Sequence, residues 1–259
     1  MLIFSFFIFL ISFNYVYKQK LKKVKEKTLN LLLSNFISYS QHFEDFILFY
    51  IFHDIQNGFY IDVGANDPDL ISVTKAFYQR GWYGINIEPL PEKYRLFEKF
   101  RKRDINLQFG AGEKEGNASL NVMGGMGECS SILFKKTNSS KIINIIIKTM
   151  SNICKFYAPS GVTIQFCKID VERAEKSVLL GFDFKNYRPK IFCIESLKNR
   201  ETKIPGYKEW EYILLSNDYA FAYQYKVNRF YIDKRIERFR EKFDKISIFI
   251  NLYNLLQKS

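Results

Sequence analysis

The residues best suited to chemistry stand at the ends of apolar runs. In "GFYIDVGANDPD" (58–69) an apolar run takes in Asp62, and Gly64 and Asn66 follow at alternate positions ahead of Pro68. Gly64 lets backbone approach a ligand with no Cβ in the way, Ala65 keeps the turn small, and Asn66 brings an amide close to the next helix start. A second carboxylate, Glu88, closes the run "GINIE" 24 residues beyond Gly64. In a nucleotide-binding fold, a carboxylate at the second strand end accepts hydrogen bonds from ribose hydroxyls. An ordinary strand-to-helix turn would also use D-x-G-x-N, so it is the pairing with Glu88 that points to a small bound cofactor.

What the turn lacks narrows the ligand. A dinucleotide fingerprint needs G-x-G-x-x-G and a P-loop needs G-x-x-x-x-G-K-[ST]; neither occurs. An acidic turn without phosphate-cradling glycines suits a ligand with no phosphate and a cationic amino group. S-adenosylmethionine has that chemistry, because its amino-acid end and its sulfonium are cationic near neutral pH.

The elements that must position these residues alternate along the chain. Strands are expected at 58–63, 84–88, 105–109, 164–169 and 190–195. Helices are expected within 41–55 and over 71–80, 91–102, 172–180 and 208–216. Two aromatic strands, 219–224 and 228–232, close the series and read as antiparallel because their link is short. This alternation implies βαβ units and a doubly wound parallel sheet, whose ligands bind outside the carboxyl ends of the strands. A helix over 233–257, basic in its first half and apolar in its second, follows.

Composition removes several classes. Of 259 residues 47% are hydrophobic, with 26 Phe and 17 Tyr, which is incompatible with disorder. The four cysteines form no CxxC pair; Cys167 and Cys193 sit in apolar runs and read as buried, reduced thiols of a cytosolic protein. Two histidines, His42 and His53, are too few for a histidine-built metal centre, and no metal is expected. The net charge of +12 sits at the ends: residues 1–28 hold six Lys and one Glu (+5), and residues 226–259 hold nine Lys/Arg and four Asp/Glu (+5), leaving +2 for 29–225. Basic ends on a near-neutral body fit an anionic surface better than a duplex groove, so no nucleic-acid partner is expected.

The first 17 residues, "MLIFSFFIFLISFNYVY", are uncharged and precede "KQKLKKVKEK". A helix of that length spans roughly 26 Å against a hydrocarbon core of ~30 Å. The lysines follow the apolar run, and no small-residue cleavage site is present. The expectation is a membrane-tether helix over 1–30, a catalytic domain over 31–232 and an amphipathic C-terminal helix over 233–259. That places the protein at the cytoplasmic face of a bacterial cell membrane, meeting the membrane surface through a single N-terminal anchor.

Seven segments then carry a family resemblance: "YSQHFEDFILF" (39–49), the turn at 58–69, "RGWYGINIEPLPEKY" (80–94), "RDINLQFGAGEKEG" (103–116), "FCKIDVERAEKSVLLG" (166–181), "YRPKIFCIES" (187–196) and "NRFYI" (228–232). Together they resemble the FkbM-type S-adenosylmethionine-dependent methyltransferases over about residues 39–232. The resemblance implies a Rossmann-like class I methyltransferase fold, with a seven-stranded, mostly parallel sheet and a reversed C-terminal strand. It implies O-methylation of a small-molecule or glycan acceptor, such as a sugar hydroxyl. By the same resemblance Asp62, Gly64, Ala65 and Asn66 hold the methionine part, Glu88 the ribose, and Gly110 and Ala111 lie near the adenine. Asp170 lies beside the methyl group. Removing the acceptor proton then falls to a carboxylate, Asp170 or Glu172, with Glu195 as third choice; each also has a bland reading, Asp170 as a cofactor orienter and Glu172 as a helix cap. This trio could also hold Mg²⁺ through oxygen ligands.

Three positions depart from the family pattern. Phe43, Arg173 and Lys226 stand where small or turn-forming residues are usual, and each carries a cost if its φ is positive. Arg173 adjoins the expected reaction centre. It suits either contact with an acidic acceptor or a non-catalytic relative that binds without turnover. "SYSQHFED" (38–45) reads as a helix capped by Ser40 or as a flap over the ligand. "MGGMGECSS" (123–131) reads as a lid.

Overall fold

The computed structural model describes residues 36–122, 141–199 and 204–256. Two compact units are distinguished, Met1–Ile37 with Lys245–Ser259, and Ser38–Asp244. The second holds everything that follows, apart from the last part of the C-terminal helix.

Helix α1 (Glu44–Phe52) leads into strand β1 (Phe59–Val63), whose five residues are all buried. Then come α2 (Lys75–Gln79), β2 (Tyr83–Ile87), α3 (Pro91–Phe100) and β3 (Ile105–Leu107). Three strands follow, β4 (Gly110–Ala111), β5 (Gly116–Val122) and β6 (Lys141–Lys148). Next are α4 (Met150–Tyr157), β7 (Ile164–Ile169), α5 (Glu175–Leu180) and β8 (Ile191–Glu195). A small antiparallel pair, β9 (Leu197–Asn199) and β10 (Ile204–Pro205), precedes α6 (Glu211–Ser216). Strands β11 (Tyr219–Tyr225) and β12 (Asn228–Asp233) and helix α7 (Arg238–Leu256) complete the order.

Seven strands form one sheet in the order β11-β12-β8-β7-β1-β2-β3. β1, β2, β3, β7 and β8 run parallel, while β12 pairs antiparallel with both β8 and β11. This is the seven-stranded, mostly parallel sheet with a reversed closing strand that the family resemblance implied, built from the parallel units that the alternation implied. Strands such as FYIDV and IFCIE are buried along their whole length, as expected when helices cover both faces. Their side chains meet Met150, Ile153, Val178 and Leu179 from α4 and α5 in one apolar core. Local chemistry sets the helix starts: Pro91 occupies the first turn of α3, where its missing N–H is no loss, and Thr149 Oγ1 accepts the Asn152 amide at 3.2 Å to cap α4.

Chain order reverses between β7 and β1, so the neighbouring tips of β7, β1 and β2 form a topological switch point. A second sheet, ordered β4-β6-β5, stands beside it. The apolar run "KIINIIIK" is its strand β6, with Ile145 and Ile147 buried and Ile142 and Ile146 exposed.

Several expectations change. The helix expected over 71–80 covers only Lys75–Gln79, because Ile71 turns left-handed (φ 56) and Thr74 supports the sheet instead. Ser40 does not cap α1; the capping position is Phe43, itself left-handed, and Ser40 Oγ bonds to Asp45 at 2.7 Å. The 123–131 lid and the N-terminal helix lie outside the described residues. The single N-terminal anchor at the membrane is withdrawn: among the described residues no helix is long and apolar enough to cross a membrane.

Candidate functional site

The tips of β1, β2 and β7 are locked together by backbone. Gly64 N and Ala65 N both donate to Ile87 O, at 3.0 and 3.1 Å, and Asp170 N donates to Val63 O at 3.0 Å. Gly64 takes φ +74, and a Cβ there would lie 1.9 Å from the Asp170 carbonyl oxygen. Only glycine permits that approach. Asn66 continues the turn at φ 54.

Glu88 fixes this turn from β2. Its Oε2 accepts the Asn66 amide at 2.7 Å and its Oε1 accepts the Leu90 amide at 2.9 Å. Each oxygen keeps a further lone pair. Burial pushes the Glu88 carboxyl up to about 7, against those two backbone donors.

One cavity of about 170 Å³ opens over these tips. Gly64, Ala65, Asn66, Glu88, Gly110, Ala111, Asp170 and Glu172 all line it, so eight of the nine residues selected from sequence meet around one space. Its apolar lining includes Phe109, Leu120 and Ile145, with Gly110 and Ala111. Gln41 also reaches it, from a segment pinned by the Asp45 carboxylate, which accepts Ser38 Oγ, Ser40 Oγ, Tyr39 N and Phe46 N within 2.6–2.8 Å.

Asp62 is the ninth, and it does not line the cavity. Its side chain is 1% exposed beneath the turn, where Oδ2 accepts from Thr74 Oγ1 at 3.2 Å and Oδ1 faces Lys168 Nζ at 3.3 Å. Burial pushes its carboxyl upward while Lys168 pulls it back. Lys168 does line the cavity and was missed from sequence. Its signal was there, a lone cation inside "IQFCKID" at a strand end, one residue from the tip.

Asp170, Glu172 and Glu195 bring carboxylate oxygens within 4.8 Å of one another at the ends of β7 and β8. Beyond them Glu175 accepts the Val171 and Arg173 amides at 3.3 and 3.2 Å, holding the loop in shape; burial, with the charge of Asp170 adding, pushes its carboxyl up to about 7. In that loop Glu172 and Arg173 take φ 48 and 82. Phe43 (φ 58) and Lys226 (φ 52) are left-handed too, so all three departures from the family pattern fall where glycine would be unstrained.

The residues fit a phosphate-free adenosyl ligand. The cavity combines an apolar lining with carboxylate acceptors on Glu88, Asp170 and Glu172. Asn66 Oδ1 is buried with no hydrogen-bond partner, an acceptor for an ammonium donor. A mostly parallel seven-stranded sheet with a cavity at its switch point, and no phosphate-binding glycine loop, is consistent with a methyltransferase fold. Residues 62–221 match the Methyltransferase FkbM domain, and the chain belongs to that family.

Solved structures resemble it at lower similarity. A methyltransferase FkbM from Methylobacillus flagellatus KT is 16% identical with a TM-score of 0.44; the likeness covers 68% of this chain and 44% of that one. A proposed RNA methyltransferase from Pyrococcus horikoshii is 10% identical with a TM-score of 0.38, covering 81% and 98%. This chain thus spans less than half the length of the FkbM structure. No curated protein matches it.

Proposed function

We propose that the protein is an S-adenosylmethionine-dependent O-methyltransferase acting on a hydroxyl of a glycan or a related small metabolite. The observation that carries this reading is the convergence of the 64–66 turn, Glu88 and Asp170 on one cavity at the switch point of the sheet. Family membership supports it.

When bound, the cofactor supplies an electrophilic methyl group on a sulfonium, the difficult part of the chemistry. The free lone pairs of Glu88 would accept from the ribose hydroxyls. Phe109, Leu120 and Ile145, beside Gly110 and Ala111, would enclose the adenine. The 64–66 turn, with the open acceptor on Asn66 Oδ1, would take the methionine end. Asp62 serves this arrangement indirectly, through Lys168. A carboxylate oxygen of Asp170 or Glu172 would take the proton of the acceptor hydroxyl, the bound cofactor giving up its methyl group and leaving as the neutral thioether. Neither histidine lines the cavity, which leaves that task to the carboxylates.

Arg173 favours a second reading, a relative that binds the cofactor without turnover, because its strained conformation adjoins the carboxylates. Radiolabelled methyl transfer to a cell-envelope extract decides between them. Label incorporated by wild type and lost in Asp170→Ala supports the enzyme; tight cofactor binding with no incorporation by wild type supports the second reading.

A further inference from the structure

Lys168 is placed to do more than balance Asp62. The two stand opposite each other in the β1–β7 register, and the ammonium also reaches the tips of both strands. Nζ donates to Gly64 O at 2.8 Å, faces Asp62 Oδ1 at 3.3 Å and lies 3.8 Å from Asp170 Oδ2. The hydrogen bond goes to the turn carbonyl, and the two carboxylates flank the ammonium as ion pairs. One acceptor belongs to the cofactor turn and another to the candidate base. The Lys168 side chain is 11% exposed, so these contacts are only weakly screened.

The charges around Asp170 make that contact matter. Glu172 beside it, Glu195 at the end of β8 and Glu175 at the start of α5 are all acidic. Asp62 on β1 and Glu88 at the end of β2 also face Lys168, and Arg173 brings a second cation beside Glu175 and Glu195. The Lys168 ammonium, 3.8 Å from Asp170 Oδ2, sets a fixed cation against this group and orients the Asp170 carboxylate.

We propose that Lys168 is a positioning residue that couples the two halves of the site, fixing the Gly64 turn for the cofactor while orienting the Asp170 carboxylate. The role assigned to Asp170 rests on the methyltransferase reading; the hold on the turn does not.

The test removes the buried pair as a unit. Lys168→Met alone leaves Asp62 buried without its cation and is expected to fold poorly. Asp62→Asn with Lys168→Met leaves neither charge stranded and is expected to fold. If Lys168 is a positioning residue, amide exchange at Gly64 and Ala65 in this double variant, read by NMR without ligand, speeds at least tenfold relative to mid-strand β1. The kcat for methyl transfer also falls about tenfold while KM for the acceptor changes less than about twofold. A double variant with wild-type exchange at both amides and an unchanged kcat would overturn the proposal, since Lys168 would then only balance Asp62. If wild type transfers no methyl, that failure belongs to the proposed function, and the exchange rates alone decide for or against Lys168.

Discussion

Glu88 faces the hardest electrostatic demand at the cavity, because it must accept hydrogen bonds while buried. Its ordinary value of 4.5 rises to about 7, and Glu175 moves alike. A carboxyl whose proton affinity rises on folding contributes stability that is complete below its unfolded value and is lost as pH climbs through the folded one. Thermal melts should therefore show stability falling between about pH 4.5 and 7, with Glu88→Gln removing part of that slope. In the proposed function ribose hydroxyls donate to the ionised form of Glu88, so ligand binding would run the other way. Affinity for S-adenosylmethionine should rise about tenfold from pH 6 to 8 in wild type and stay flat in Glu88→Gln. Asp62→Ala should instead cost about 3–5 kcal/mol of stability in denaturant titrations, because it strands the Lys168 ammonium. At this scale the sequence revealed the types of the site residues but not which way they face: Asp62 and Lys168 are cross-strand neighbours only through the register of β1 and β7.

Among the elements, the turns carry the information. Gly64→Ala should separate β1 from β7, because its Cβ meets the Asp170 carbonyl at 1.9 Å in a positive-φ turn; a loss of about 3 kcal/mol or more and loss of cofactor binding are expected. Lys226→Gly tests the opposite case. Lys226 is left-handed (φ 52) between β11 and β12, so glycine should raise stability by about 1 kcal/mol in a thermal melt. The parallel strands were legible because burial on both faces writes unbroken apolar runs, and turn residues punctuate them. The second sheet was not: β4 is two residues long, and β6 reads as one apolar run whose alternation is hidden by isoleucine on both faces. The shortened α2 was illegible for another reason, as nothing in Ile71 announces a left-handed conformation.

For the molecule as a whole, the sheet makes one compartment of residues distant in sequence. Cys154, Cys167 and Cys193 are buried in it, and burial pushes Cys154 up to about 12 and the other two well upward. None of the three should react with a thiol reagent until the protein unfolds, at which point all three should label. The same sheet sets Glu88, the Gly64 turn and Asp170 around one cavity, and the account depends on that cavity being built for a nucleoside without phosphate. Calorimetry of S-adenosylmethionine with wild type and Glu88→Ala at pH 8 tests this most directly. One-to-one binding by wild type is expected, with an affinity about 1–3 kcal/mol weaker in the variant, roughly 5- to 160-fold. Equal affinity in the two proteins, or no binding by wild type, would contradict it.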